Sequence, residues 1–225
     1  MQLNLFLPQA DTASQPTFLP LPDAEVAYYS NWIKASEADQ LRQQLEAELP
    51  WRQDTIKLFG KAVKIPRLQS WHGEESCVYT YSGLTMRPHP WHPVLLMLKK
   101  RCSKVTHTPF NSALANWYRH GQDSMGMHAD DEPELGTEPT IASVSLGHAR
   151  PFIFKHRYSG EKYVKLLEHG SLLIMAGKTQ QYYTHGIAKT AKPIDGRINL
   201  TFRYINSREA EKENASKSLY RTTAQ

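Results

Sequence analysis

In the stretch MGMHADDE, one residue separates His128 from Asp130. Side chains alternate between the two faces of a strand, so this spacing puts both donors on one side, within reach of one metal ion. His185, in YYTHGIAK, follows far enough downstream for several strands to return it beside the pair. Two histidines and one carboxylate on one face of a metal leave positions open, an arrangement suited to non-haem Fe(II) and O2. The same three residues also fit a zinc hydrolase, or could be unrelated polar positions among the ten histidines. The segment RINLTFR separates these readings. Arg197, Asn199, Thr201 and Arg203 share strand parity, with Ile198, Leu200 and Phe202 on the opposite face. Two guanidiniums flanked by an amide and a hydroxyl suit a dicarboxylate, and hydrolysis at zinc gives them no task.

The elements that must position these groups follow from pattern. The 225 residues, 40% of them hydrophobic, are enough for one sizeable core. No run approaches the roughly 18 apolar residues of a membrane span, and MQLNLFLPQAD lacks a basic n-region, so a cytoplasmic protein is expected. Residues 1–30 are rich in proline and polar residues and predict an extended arm. After Ser36, read as an N-cap, Leu41, Leu45 and Leu49 recur at spacing four and predict a helix that stops at Pro50. TIKLF, KAVKI and SCVYTYS predict short strands divided by Gly60, Pro66 and Gly73. A second helix is expected near 91–103, with Pro93 in its first turn. From about 110 onward, SALANWYR, TIASVSL, RPFIFKH, YVKLLEH, SLLIMAG, QYYTHGIAK and RINLTFRYI predict a barrel or sandwich of short strands. The charged stretch 207–225 predicts a tail outside the core.

The formal charge of +5 and a pI near 9.1 permit a polyanionic partner. Basic residues collect at Lys57, Lys61, Lys64 and Arg67 and again at Lys99, Lys100, Arg101 and Lys104; a solvated face is the plainer reading of both groups. Cys77 and Cys102 match no metal or redox spacing and are expected as reduced, packed thiols.

Taken in order, NWYRHG, MHADDE, IASVSLG, HGSLLIMAG, THGIAK and RINLTFRYI resemble the AlkB family of nucleic-acid demethylating dioxygenases over roughly residues 56–206. LFGK, IPR, YTYSGL and HPWHPVL bring the likeness nearest the branch that repairs duplex DNA. The resemblance implies an α+β, mainly β fold: a double-stranded β-helix (jelly-roll) core at 110–206, with N-terminal helices and a nucleotide-recognition lid at 31–109. It implies Fe(II) on His128, Asp130 and His185, with 2-oxoglutarate and O2 as cosubstrates. Asn116, Tyr118, Arg197, Thr201 and Arg203 correspond to the groups around 2-oxoglutarate, with Asn199 as an addition. Arg197 would pair with its distal carboxylate, and Arg203 would lie at the iron end near Asp130.

The implied reaction hydroxylates an N-methyl group of 1-methyladenine or 3-methylcytosine in DNA, releasing succinate, CO2 and formaldehyde. The base must leave the duplex stack, and Phe59, beside Gly60, Lys57 and Lys61, corresponds to the family's intercalating finger. Tyr79 and Tyr81 occupy the lid positions, and Asp131 and Glu132 could favour a cationic base or orient its amine. The loop after His185 departs from the duplex branch, offering only Lys189 and Lys192, and the KHRYSGEK loop is short. The same chemistry on RNA or protein, or a noncatalytic nucleic-acid-binding jelly-roll, are the alternatives. A monomer is expected. Gln2, Leu3, Leu5 and Phe6 in QLNLF also resemble the peptide by which bacterial repair proteins dock on the sliding clamp, a strand packed on the domain itself being the other reading.

Overall fold

The computed structural model describes residues 15–58, 60–77, 79–81 and 84–206, with the backbone alone at 57–58, 79–81 and 84–86. Phe59, the clamp-like residues Gln2, Leu3, Leu5 and Phe6, and the stretch 207–225 lie outside this range. In chain order come β1 (Thr17–Phe18), β2 (Glu25–Tyr29), α1 (Ala35–Glu48), β3 (Thr55–Leu58), β4 (Lys61–Lys64), β5 (Leu68–Gly73), β6 (Tyr79–Tyr81), β7 (Leu84–Met86) and α2 (Pro93–Thr106). Then follow β8 (Ser112–Tyr118), β9 (Met125–His128), β10 (Ile141–Gly147), β11 (Arg150–His156), β12 (Lys162–Leu167), β13 (Ser171–Ala176), α3 (Thr179–Tyr182), β14 (Tyr183–Ile187) and β15 (Arg197–Arg203).

Among the described residues, one sheet has seven antiparallel strands in the order β1-β2-β13-β10-β15-β8-β5, and a second has four in the order β12-β11-β14-β9. From β8 to β15 each strand lies in the sheet opposite its predecessor, except at the β11–β12 hairpin, which makes the core a double-stranded β-helix. β3-β4 and β6-β7 form separate hairpins. Residues 17–29, expected within an arm, join the large sheet, where β2 pairs with β13 and buries Val26 and Tyr28.

Alternation along β15 sorts the core. Ile198, Leu200 and Phe202 face outward from the barrel, into a cluster with Leu41 and Leu45 of α1 and Leu95 and Leu98 of α2. Each such side chain contributes about 1.5–3 kcal/mol by leaving water. The odd-numbered residues of β15 face the interior, where Phe152, Phe154, Ile141, Met175 and Tyr118 form the second cluster. Helices therefore brace the outside of the large sheet while its inner face is left for chemistry.

Two boundaries differ from the sequence pattern. Ser36 lies inside the first turn of α1, whose N-cap is Lys34 without a side-chain cap bond. The start is set by tertiary anchoring, for buried Ile33 donates its N–H to Gly170 O at 2.9 Å. The second helix begins at Pro93 as expected but runs on to Thr106, with the His92 side chain accepting from Val94 N. Cys77 and Cys102 are free and buried, and burial pushes both thiols up, that of Cys77 to about 11.

Candidate active site

The strands β9 and β14 pair so that His185 stands opposite His128, their ring centroids 4.4 Å apart. Gly186 permits the approach, since a Cβ there would come within 2.9 Å of Met125 O. Asp130 is not on the strand with His128, as the alternating pattern suggested; β9 ends at His128 and the chain turns before Asp130. Its backbone N–H is held instead by Gln180 Oε1 of α3, at 3.0 Å. His128 Nε2 lies 3.8 Å from Asp130 Oδ1 and His185 Nε2 4.0 Å from Oδ2, and one donor atom from each residue falls within 4.8 Å of the others.

The electrostatics suit a cation. Burial alone would raise the Asp130 carboxyl, but Arg203, His128 and His185 outweigh it and hold the group at about 2. Burial, reinforced by His128 and Arg203 and opposed by Asp130, pushes His185 down to about 3, so its imidazole is neutral and keeps a lone pair for a metal. His128 Nδ1 sits 3.0 Å from Gly126 O; protonated there, it donates to the carbonyl and leaves Nε2 as the ligand atom. Phe152 stacks on His185 with centroids 5.2 Å apart and fixes the ring's plane.

The inner face of β15 continues the site. Arg203 Nη2 donates to Asp130 Oδ1 at 2.8 Å. Thr201 Oγ1 donates to Asn199 Oδ1 at 3.1 Å, and Asn199 Nδ2 donates to Ser143 Oγ at 2.8 Å. Arg197, 1% exposed, donates from Nη2 to Ser145 Oγ at 2.9 Å, with its guanidinium carbon 5.3 Å from the centre of the Tyr118 ring. Its Nε and Nη1 are buried and meet no hydrogen-bond partner among the described residues. Burial pushes Arg197 down to about 10, with Tyr118 opposing and Arg150 assisting. Buried N–H groups of a guanidinium are costly unless an acceptor meets them, and a carboxylate can meet two at once. The donor set thus fits a dicarboxylate beside a metal.

A cavity lined by Asn116, Tyr118, His128, Asp130, His185, Asn199, Thr201 and Arg203 gathers most of the expected residues. Asp131 and Glu132 follow Asp130 in the chain but are not among the residues that line it. Asp131 is exposed and paired with Arg157 at 2.5 Å, while Glu132 is half-buried. Tyr79 and Tyr81 are the first and last residues of β6, whose backbone pairs with β7. The basic groups separate. Lys61 and Lys64 are exposed on β4, but Arg67 is buried and donates from Nε to Asn116 Oδ1 at 2.7 Å, so it braces the site. In the second group, Arg101 pairs with Glu37 at 2.8 Å and Lys99 lies over the Trp91 ring at 5.0 Å, tying α2 to its neighbours.

Sequence reasoning missed Arg150, Gln180 and the bracing role of Arg67. Arg150 is 1% exposed and donates from Nη2 to Asp123 O at 3.2 Å and Ala188 O at 2.7 Å, beside Tyr118 and Arg197. Its signal was strand parity, which puts it on the same inward face as Phe152 and Phe154. Gln180 carried no signal, because its task depends on where Asp130 comes to rest.

Residues 25–203 match the 2OG-Fe(II) oxygenase superfamily. The chain is 41% identical over 196 residues to human alpha-ketoglutarate-dependent dioxygenase alkB homolog 3, covering 83% of this chain and 68% of that protein. It is also 41% identical over 188 residues to human DNA oxidative demethylase ALKBH2, covering 79% and 72%. Overall identity therefore does not separate the two kinds of relative. Among solved structures, OsALKBH1 superposes with a TM-score of 0.55 at 18% identity, over 79% of this chain and 97% of that one, a likeness of fold. Family match, identity and the cluster of two histidines, an aspartate and inward arginines agree: the chain belongs to the AlkB family of Fe(II)- and 2-oxoglutarate-dependent dioxygenases.

Proposed function

We propose that the protein repairs DNA by oxidatively demethylating N-alkylated bases, 1-methyladenine and 3-methylcytosine, with His128, Asp130 and His185 as the iron ligands. The observation that carries the chemistry is the juxtaposition of that triad with the inner face of β15, joined by the Arg203 to Asp130 hydrogen bond. Identity to proteins named as a DNA oxidative demethylase supports the choice of DNA.

Iron and 2-oxoglutarate, when bound, supply with O2 the oxidation that hydroxylates the N-methyl carbon and leaves succinate and CO2. The hydroxylated base then sheds formaldehyde without a protein nucleophile. The side chains bind and orient. Arg197 takes the distal carboxylate of the cosubstrate, with Tyr118, Asn116, Asn199 and Thr201 along its length. Arg203 holds the Asp130 carboxylate ionised and fixed. Positioning of this kind is the protein's main contribution when a cofactor carries the reaction. The lid residues Tyr79 and Tyr81 and the finger residue Phe59 receive the flipped base and fill its gap, and the Asp131 and Glu132 carboxylates favour a ring that carries positive charge.

The test is a panel of oligonucleotides bearing 1-methyladenine or 3-methylcytosine, single-stranded and annealed, given to iron-loaded enzyme with 2-oxoglutarate. Succinate and formaldehyde in equal amounts, together with the restored base, are expected. Iron-replete protein that turns over none of these substrates would overturn the reading.

A further inference from the structure

The hairpin joining β11 to β12 carries an aromatic group that the iron chemistry does not use. Tyr158 is 79% exposed, yet its ring edges are fixed, with centroids 5.8 Å from His156 and 5.9 Å from Tyr182. His156 in turn packs on Tyr183 at 5.0 Å. The turn beneath is tied in several ways. Gly160 N donates to His156 O at 3.0 Å, Ser159 N donates to His156 Nδ1 at 3.0 Å, and Arg157 N donates to Tyr182 O at 2.7 Å. Gly160 adopts a φ of +76°, which a left-handed turn position requires and glycine supplies readily. A large apolar ring held in water by a preorganised turn gains little for the fold, whereas a ring ordered in advance loses little entropy on meeting a flat partner.

Its place decides which partner. His156 pairs with Tyr183, one pleat, about 7 Å, along the same two strands from the Phe154–His185 pair. The Arg157–Asp131 ion pair ties the hairpin to the residue that follows Asp130. The platform is therefore built on the same two strands as His185, one pleat further along. Arg157 is the cation on its side of the sheet; Lys155 and Lys162 pair with one another across β11 and β12 and line the opposite face. An exposed, ordered aromatic ring suits single-stranded nucleic acid, whose bases offer free π-faces. A base within a duplex has both faces covered by its neighbours and cannot use the ring.

We infer that Tyr158, braced by His156 and Tyr182, stacks on an unpaired base next to the alkylated one and so favours single-stranded substrate. This rests on the nucleic-acid reading above and adds a specificity residue to it.

Tyr158→Ala and Tyr158→Phe test it on iron-loaded enzyme, using a methylated oligonucleotide single-stranded and annealed, with 2-aminopurine beside the lesion on either side. Stacking on an aromatic ring predicts that Tyr158→Ala raises KM for the single strand roughly five- to a hundredfold, with much less effect on the duplex, while Tyr158→Phe behaves as wild type. Binding is expected to quench 2-aminopurine in wild type and Tyr158→Phe but not in Tyr158→Ala. Equal losses on both substrates, or no loss at all, overturn the inference and leave the demethylase reading standing. Wild-type protein that acts on the duplex but has no affinity for any single strand overturns the inference alone, and iron-replete protein that turns over neither overturns both.

Discussion

Arg203 Nη2 donates to Asp130 Oδ1 across 2.8 Å, joining the last residue of β15 to a carboxylate that no strand holds. Both side chains are buried, at 7% and 4% exposure. A buried pair of this kind is costly to break from one side, about 3–5 kcal/mol, because the remaining charge loses its partner.

Asp130→Asn keeps the side chain's shape and removes its charge. We expect loss of turnover and of most bound iron with the circular dichroism spectrum of the fold retained; Asp130→Ala should behave likewise with a lower Tm. Iron content after anaerobic loading is the direct readout, and wild-type iron content in Asp130→Asn would remove this residue from the ligand set.

At the other end of β15, Arg197→Lys preserves charge but not the planar fork whose Nε and Nη1 await an acceptor. KM for 2-oxoglutarate should rise roughly ten- to a hundredfold, since one or two charge-assisted hydrogen bonds are worth about 1.5–3 kcal/mol each. The effect on kcat at saturating cosubstrate should be much smaller. A mutant altered in oligonucleotide KM alone would place the dicarboxylate elsewhere.

The parity of RINLTFR was legible because strand alternation is local: odd residues face the site and even ones face α1 and α2, as the pattern predicts. His185 was legible as a donor too. The position of Asp130 was not, for it leaves the strand and is held by Gln180, a contact between residues far apart in sequence. Charge patterning misled at Arg67, which sits near exposed Lys61 and Lys64 in sequence but points into the protein toward Asn116. Ser36 failed as a cap for the same reason, since Ile33 and Gly170 fix where α1 begins.

Arg150 bridges the carbonyls of Asp123 and Ala188 while adding charge beside Arg197. Removing it with Arg150→Met leaves carbonyls unsatisfied and should cost about 1–3 kcal/mol of stability. It should also raise KM for 2-oxoglutarate severalfold, with kcat retained. Arg150→Lys separates the two effects, because it restores charge more fully than the two-carbonyl bridge: KM should recover further than Tm. An unaltered KM in Arg150→Met would reduce the residue to a strut.

Asp123 gives the pH prediction. Burial acts to raise its carboxyl, but hydrogen bonds from the Arg119 side chain and backbone, with the charge of Arg119, outweigh burial and lower it below the ordinary value of 3.8. A depressed folded value means that the ionised group stabilises the protein above the unfolded value, and that this contribution is lost as pH falls through the folded one. Wild-type stability should therefore climb between about pH 3 and 5. In Arg119→Met the chief opposing influence is gone, burial raises the carboxyl, and the climb should flatten. Arg119 is about a third exposed, so solvent screening limits the loss at pH 7 to about 1 kcal/mol. Urea midpoints for both proteins from pH 3 to 7 measure the difference directly: the curves should converge toward acid pH, and parallel curves would show that Arg119 acts on stability without depressing Asp123.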